Sequence, residues 1–289
     1  MATPGLQMPD GCLEACAERL FADLRGRCGF RRDELLMRKL NSAVARFTPD
    51  EAVDWVEHMV TRPDHDPEWL ALVEGVTVHE TFFFRDPAQL DMLSLHGLPE
   101  LIEERARAGD RRLAIWSAGC ASGEEAYTLA ILVLRAFLQA GCEPKAWAVD
   151  ILGTDISTQM IMKARDGVYG GPGLDSFRQM PAENMVYFMD VEGAQPYRKS
   201  VHPELTALVR FHQHNLMGER PPGDAFDIVL CRNVMMYFED EGQVHTQELL
   251  TRSLAQGGLL LLGVTDRIAD AGRYERCQAD NAVIYRKLD

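Results

Sequence analysis

Positive charge is what this sequence has too little of. Its 30 lysines and arginines face 44 aspartates and glutamates, giving a formal net charge of −14. General nucleic-acid binding draws most of its affinity from a basic footprint, so nucleic acid is not an expected partner. Long hydrophobic runs are also missing: none approaches the roughly 20 residues that span a bilayer, and membrane insertion is not expected. The opening MATPGLQMPDGCLEAC lacks a basic stretch followed by an apolar one. No secretion signal is read there, and a cytoplasmic location is expected. Cysteine is present at seven positions (12, 16, 28, 120, 142, 231 and 277) but never as a C-x-x-C pair, which favours reduced structural thiols over a disulfide framework or zinc site. His212 and His214 form an H-x-H without an acidic or cysteine neighbour, so no metal is expected.

Ordered amphipathic patterning is present. Leu13, Cys16, Ala17, Leu20, Phe21 and Leu24 fall at helical spacing, and a second helix is expected from about Asp33 to Arg46, burying Leu36, Leu40 and Val44. Thr48-Pro49-Asp50-Glu51 reads as a capping box with proline at the first helical position, and Asp66-Pro67 and Asp86-Pro87 look like further helix starts of that kind. From Arg112 onward short apolar runs alternate with helical patterns, and the chain closes on a strand pair around Asp280-Asn281. Such alternation calls for a doubly wound α/β fold with a mostly parallel sheet covered on both faces. The expected organisation is a helical domain over residues 1–76 and an α/β domain over 77–289. A Gly-, Pro-, Met- and Tyr-rich insertion of about 169–206 interrupts the alternation.

Ligands of a doubly wound sheet sit at the carboxyl ends of its strands. The first strand runs into Ser117-Ala-Gly-Cys-Ala-Ser-Gly-Glu-Glu125. Its glycines have G-x-x-x-G spacing, not the dinucleotide G-x-G-x-x-G, and two glutamates open the following helix. Carboxylates there repel a pyrophosphate and suit a cationic ligand bearing an amino-acid group. A tight strand-to-helix turn with no ligand is the competing reading. The second strand ends at Asp155, where an acidic residue can accept from both ribose hydroxyls or can instead cap the next helix. Together the strand ends point to an adenosine ligand other than NAD.

The stretches Thr81-Phe-Phe-Phe-Arg-Asp86, Ile115-Trp-Ser-Ala-Gly-Cys-Ala-Ser-Gly-Glu-Glu125, Gly153-Thr-Asp-Ile156, Asn215-Leu216 and Cys231-Arg-Asn-Val-Met-Met-Tyr-Phe238 occur in that order. In this the chain resembles the CheR family of chemotaxis-receptor glutamate O-methyltransferases. The resemblance implies a class I methyltransferase domain with an N-terminal all-helical domain and a small inserted β-subdomain. It also implies S-adenosylmethionine as methyl donor, S-adenosylhomocysteine as product, no metal, and a monomer. Thr81 and Arg85 are implied to line the site, with Ala118 and Gly119 in the Gly-rich turn. Glu125 and Asp155 are implied to hold the amino-acid and ribose parts. Asn215, Leu216, Arg232 and Asn233 are implied to wall the adenine, and Tyr237 to face the methyl group. His79 stands where the family has asparagine. The stretch Asp190-Val-Glu-Gly-Ala-Gln-Pro-Tyr197 lacks the Gly-x-Gly turn of members that dock on a receptor's pentapeptide tether, which argues against tether binding.

Methyl transfer from a sulfonium is an in-line displacement, and a glutamate side chain, with an ordinary pKa near 4.3, is already ionised at neutral pH. No general base is needed; alignment and exclusion of water suffice. Arg85 can grip the carboxylate or else pair with Asp86 or Glu80, and Tyr237 can serve the site or pack in the core beside Phe238. Phe82, Phe83 and Phe84 read first as core. Arg32, Lys39 and Arg46 recur every seven residues, with Arg31 and Arg38 beside them. They draw either a solvated helix face partnered by Asp33 and Glu34 or a docking stripe for the acidic helical bundle of a methyl-accepting chemoreceptor. Two alternatives stay open: a methyltransferase for another protein or small-molecule carboxylate, and a non-catalytic cofactor-sensing module.

Overall fold

The computed structural model describes residues 11–170, 176–193, 198–279 and 281–288. Contacts divide them into a helical unit, extending to Val78 and including Tyr237–Gly242, and an α/β unit formed by His79–Met236 and the chain from Gln243 onward.

The helical unit contains α1 (Cys12–Cys28), α2 (Glu34–Val44), α3 (Pro49–Val60) and α4 (Pro67–Val76). The side chains that set the helical periodicity are the ones buried: Leu20, Leu24, Leu40 and Val44 are fully enclosed. Asp33 caps α2 by accepting from Leu36 N at 2.7 Å, and Asp66 caps α4 by accepting from Glu68 N and Trp69 N. At the start of α3, Glu51 Oε2 accepts from both the backbone N and the hydroxyl of Thr48, at 2.9 and 2.8 Å. The basic stripe is redrawn here. Only Lys39 lies inside α2. Arg32 precedes the helix and forms a two-pronged ion pair with Glu18, and Arg46 follows it, its Nε donating to Ala43 O. Lys39 Nζ donates to Val76 O and Thr77 O at 3.2 and 2.8 Å, satisfying carbonyls at the end of α4. Heptad spacing in the sequence ran past both helix ends. Arg38, beside Lys39, is exposed and borders a shallow groove lined by Glu34, Met37, Asn41, Ser42 and Ala45.

The α/β unit opens with α5 (Pro87–Met92), a π-helical turn at Leu93–Gly97 and α6 (Leu98–Arg107). Asp86 does not cap α5: its φ is 56°, and its side chain makes no capping bond. Then follow β1 (Arg112–Ala118), α7 (Glu124–Gln139), β2 (Ala148–Asp155), α8 (Thr158–Asp166), β3 (Val168–Tyr169), β4 (Phe188–Asp190), β5 (Lys199–Val201), α9 (Pro203–Thr206), β6 (Val209–Gln213) and β7 (Phe226–Cys231). The chain ends with α10 (Asp240–Ser253), β8 (Leu254–Leu262), β9 (Tyr274–Ala279) and β10 (Ala282–Lys287). The main sheet has the order β6-β2-β1-β7-β8-β10-β9, parallel from β6 through β8, with β10 antiparallel to both neighbours. The last pair is the expected hairpin; Asp280 in its turn lies outside the described residues. Every residue of β7 is buried, as are all but the first of β1, as a sheet covered on both faces requires. The helix α7, apolar almost all round, is buried accordingly.

The chain winds outward from β1 through β2 to β6 and then returns to the other side of β1 with β7. Strand order therefore reverses between β1 and β7, the place where an open α/β sheet leaves a crevice at its carboxyl edge. The insertion forms a separate antiparallel sheet, β3-β5-β4. Parts of it, residues 171–175 and 194–197, the latter closing the stretch that lacks a Gly-x-Gly turn, lie outside the described residues, as do residues 1–10.

Candidate active site

The turn after β1 is shaped by backbone conformations that glycine adopts without strain: φ is 79° at Gly119 and 94° at Gly123. Gly119 N and Cys120 N both donate to Thr154 O at 2.8 Å, which docks the turn on the end of β2. A Cβ on Gly119 would lie 2.3 Å from Val234 Cγ2, so the segment after β7 closes directly on this glycine. Ala118, the last residue of β1, is buried.

Asp155, at the tip of β2, is 8% exposed. Its Oδ2 accepts from Ala121 N and its Oδ1 from Ser157 N, both at 2.9 Å. It thus ties the Gly-rich turn to the start of α8, while Ser157 Oγ performs the cap proper by accepting from Met160 N. Burial pushes the Asp155 carboxyl up; the bonds from Ser157 and Ala121 and the nearby His79 pull the other way. His79, in the segment preceding α5, is therefore close enough to favour the ionised form. Ile156 N bonds Asp155 as well, and the ionised carboxylate, with about four lone-pair positions, keeps acceptor capacity for a ribose hydroxyl.

Glu125, in the first turn of α7, accepts from Ser117 Oγ at 2.7 Å through Oε1 and from Arg232 Nε at 2.8 Å through Oε2. The ion pair is deeply placed: the Arg232 side chain is 2% exposed and that of Glu125 13%. Arg232 Nη2 donates to Arg85 O at 2.9 Å, which brings the segment before α5 to the same spot. Arg85 turns its own guanidinium to Glu80 O at 2.5 Å. The Glu80 carboxylate is taken by Arg178, so an Arg85–Glu80 side-chain pair does not form. Neighbouring Glu124 is 2% exposed, accepts from Ser122 Oγ and Ser176 Oγ, and is pushed up by burial.

Thr81 is half-buried in the segment that leads to Arg85. Phe83 and Phe84 are core residues, Phe83 stacking on Phe177 and meeting Tyr169 and Phe188 edge-on. Asn215 Oδ1 accepts from Met217 N at 3.0 Å, shaping the loop after β6 so that Leu216 is buried beside it. Asn233 follows Arg232 with a left-handed φ of 59°. A Cβ on Gly263 would lie 3.0 Å from Asn233 N and 2.7 Å from Asp266 Oδ2, so the tips of β7 and β8 are packed together. Tyr237 belongs by its contacts to the helical unit: its carbonyl accepts from Arg31 N at 2.7 Å, and Phe238 stacks on Phe30.

One pairing and one residue here escaped the sequence reading. Arg232, expected in the wall around the adenine, is paired with Glu125. Nothing in one sequence signals a pair 107 positions apart. Asp266, which accepts from Gly263 N at 2.9 Å and is pushed up by burial, lies four residues past the end of β8, where an acidic residue following an apolar strand was the signal that could have found it. Among the described residues no group of three or more His, Cys, Asp or Glu side chains could hold a metal ion.

The donor set can be tested against S-adenosylmethionine on its chemistry. A carboxylate at the start of α7, another at the tip of β2, one buried apolar side chain and an amide-bearing loop match an ammonium, a ribose hydroxyl and an adenine. One buried guanidinium nitrogen, Arg232 Nη1, has no hydrogen-bond partner among the described residues. No described helix is long and apolar enough to cross a membrane. Residues 79–283 match the family model described as CheR methyltransferase, SAM binding domain. A chemotaxis protein methyltransferase 1 of Vibrio cholerae is 30% identical across 91% of this chain and 93% of its own length. The chemotaxis protein methyltransferase 1 of Pseudomonas aeruginosa is 32% identical over 74% of this chain and 76% of its own. The chemotaxis protein methyltransferase Cher2 of Pseudomonas putida is 26% identical over 96% and 99%. With the matched stretch running from the segment before Arg85 to the final strand, the chain belongs to the CheR family of S-adenosylmethionine-dependent methyltransferases.

Proposed function

We propose that this chain esterifies glutamate side chains in the cytoplasmic helical bundle of methyl-accepting chemoreceptors, acting in the cytoplasm as a monomer. The observation that carries this reading is the convergence of Glu125, Asp155 and the Arg85 segment on the switch point of the sheet. Glu125 takes the ammonium of the cofactor and Asp155 the ribose hydroxyls, with His79 and Thr81 beside them. Ala118 and Gly119 let the backbone approach, Asn215 and Leu216 flank the adenine, and Arg232 and Asn233 complete the wall. The bound cofactor supplies a methyl group made electrophilic by its sulfonium.

An ionised glutamate oxygen attacks the methyl carbon in line. The new O–C bond forms as the S–C bond breaks, the electron pair leaves with the sulfide, and no proton is transferred. Arg85 is assigned to orient the carboxylate, and Tyr237 is the second residue assigned to turnover. For docking, the exposed face of α2 around Arg38 is better suited to an acidic bundle than the heptad trio, since Arg32 and Lys39 are engaged within the helical unit and only Arg46 remains near its edge. The absence of a Gly-x-Gly turn in the insertion favours docking without a tether.

The test is methyl transfer from labelled cofactor to purified receptors, followed by peptide mapping. Base-labile label on receptor glutamates is the expected result. Label on another protein or a small acid would move the substrate assignment, and binding of S-adenosylhomocysteine without any transfer would favour a sensing module.

A further inference from the structure

One guanidinium touches both the residue assigned to the cofactor's ammonium and the segment assigned to the substrate: Arg232 donates from Nε to Glu125 Oε2 and from Nη2 to Arg85 O. The carbonyl it holds lies in a strained stretch. Phe84 and Asp86, on either side of Arg85, have φ of 57° and 56°, a region that non-glycine residues occupy only when their surroundings fix them. One fixing contact is Thr128 Oγ1, in α7 one turn after Glu125, which accepts from Phe84 N at 3.2 Å. Arg232 is another. The planar fork of arginine can serve two acceptors at fixed angles, whereas a lysine ammonium is a single point on a flexible stem.

We propose that Arg232 is a positioning residue that sets Glu125 and Arg85 as one unit, so that occupancy of the cofactor's amino-acid subsite and orientation of the substrate carboxylate are coupled. The coupling rests on the cofactor and substrate roles proposed for Glu125 and Arg85. It is reciprocal: whatever cofactor binding gives to the order of the Arg85 segment, a bound carboxylate returns to cofactor affinity.

The experiment uses the full chain as wild type, Arg232→Lys, Arg85→Ala and the double variant, with Glu125→Gln as a second way of releasing the guanidinium. Three quantities are read: affinity for S-adenosylhomocysteine by calorimetry, backbone amide exchange over residues 81–86 with and without that ligand, and receptor KM. In the wild type the ligand is expected to slow exchange over 81–86. Arg232→Lys and Glu125→Gln are expected to remove the slowing even at ligand saturation. Arg232→Lys raises receptor KM about tenfold, the loss of one charge-assisted hydrogen bond. In the Arg85→Ala background, Arg232→Lys adds no further rise. If Arg232→Lys weakens ligand binding but leaves both the exchange pattern and KM of the wild type, or if the two KM effects multiply, the coupling is overturned and Arg232 merely supports the cofactor pocket. A wild-type chain that shows the exchange response but methylates no receptor would remove the receptor reading while the exchange arm still decides the coupling.

Discussion

At Asp155, burial pushes the carboxyl up, against three backbone amides and a nearby histidine. The consequence is a pH dependence with a definite sign. The ionised form accepts the ribose hydroxyls, so affinity for S-adenosylhomocysteine is full above the raised pKa and falls as pH drops through it. That fall begins above the ordinary aspartate value near 3.9. Calorimetry from pH 8 to 4 should show the decline, and Asp155→Asn should bind weakly with no such slope; an unchanged wild-type affinity at pH 4 would refute the ribose role. At Arg85 and Tyr237 the effect belongs to turnover. Arg85→Ala is expected to lower kcat on the order of 10²-fold, as for loss of a charged orienting donor, and Tyr237→Phe about tenfold, both retaining measurable cofactor binding. Steady-state methylation beside binding titrations separates the two effects, and wild-type turnover in either variant strikes that residue from the catalytic set.

Among elements, α2 shows why a charge pattern is not yet a surface. The heptad of Arg32, Lys39 and Arg46 was legible in sequence, but it marks three different jobs. One residue forms an ion pair before the helix, one caps the carbonyls of α4, and one lies past the helix end. Charge reversal should therefore split. Arg38→Glu is expected to slow receptor methylation and flatten its dependence on ionic strength without changing Tm, because an exposed rim charge acts on encounter. Lys39→Glu is expected to destabilise the helical unit by about 1–3 kcal/mol, through lost donors and a carboxylate set against a helix C-terminus. Denaturant melts and methylation rates over a salt series distinguish these outcomes; identical behaviour of the two variants would contradict the division. The Asp-Pro starts teach the same lesson. Asp66 caps α4 as its residue type predicts, whereas Asp86, with the same dipeptide, is held in a left-handed conformation and makes no capping bond.

For the whole molecule, ligand binding should register as stability. At 100 times its Kd, S-adenosylhomocysteine contributes about 2.7 kcal/mol by mass action, a shift in Tm of several degrees, and a metal chelator should leave both states unaltered. Thermal melts with ligand and with EDTA check this, and a Tm indifferent to the ligand would contradict the pocket. Periodicity and turn chemistry were enough for the helices of the first unit, the alternation that makes a parallel sheet, the closing hairpin, the Gly-rich turn that runs into Glu125 and the strand end at Asp155. These are local signals, carried by neighbouring residues. It took the folded chain to pair Arg232 with Glu125, to close Val234 on Gly119, and to turn Lys39 toward α4 instead of solvent. Those partners lie tens of residues apart or more. What joins them is the winding of the sheet and the need of each buried charge and carbonyl for a counterpart, and neither leaves a mark in the linear order.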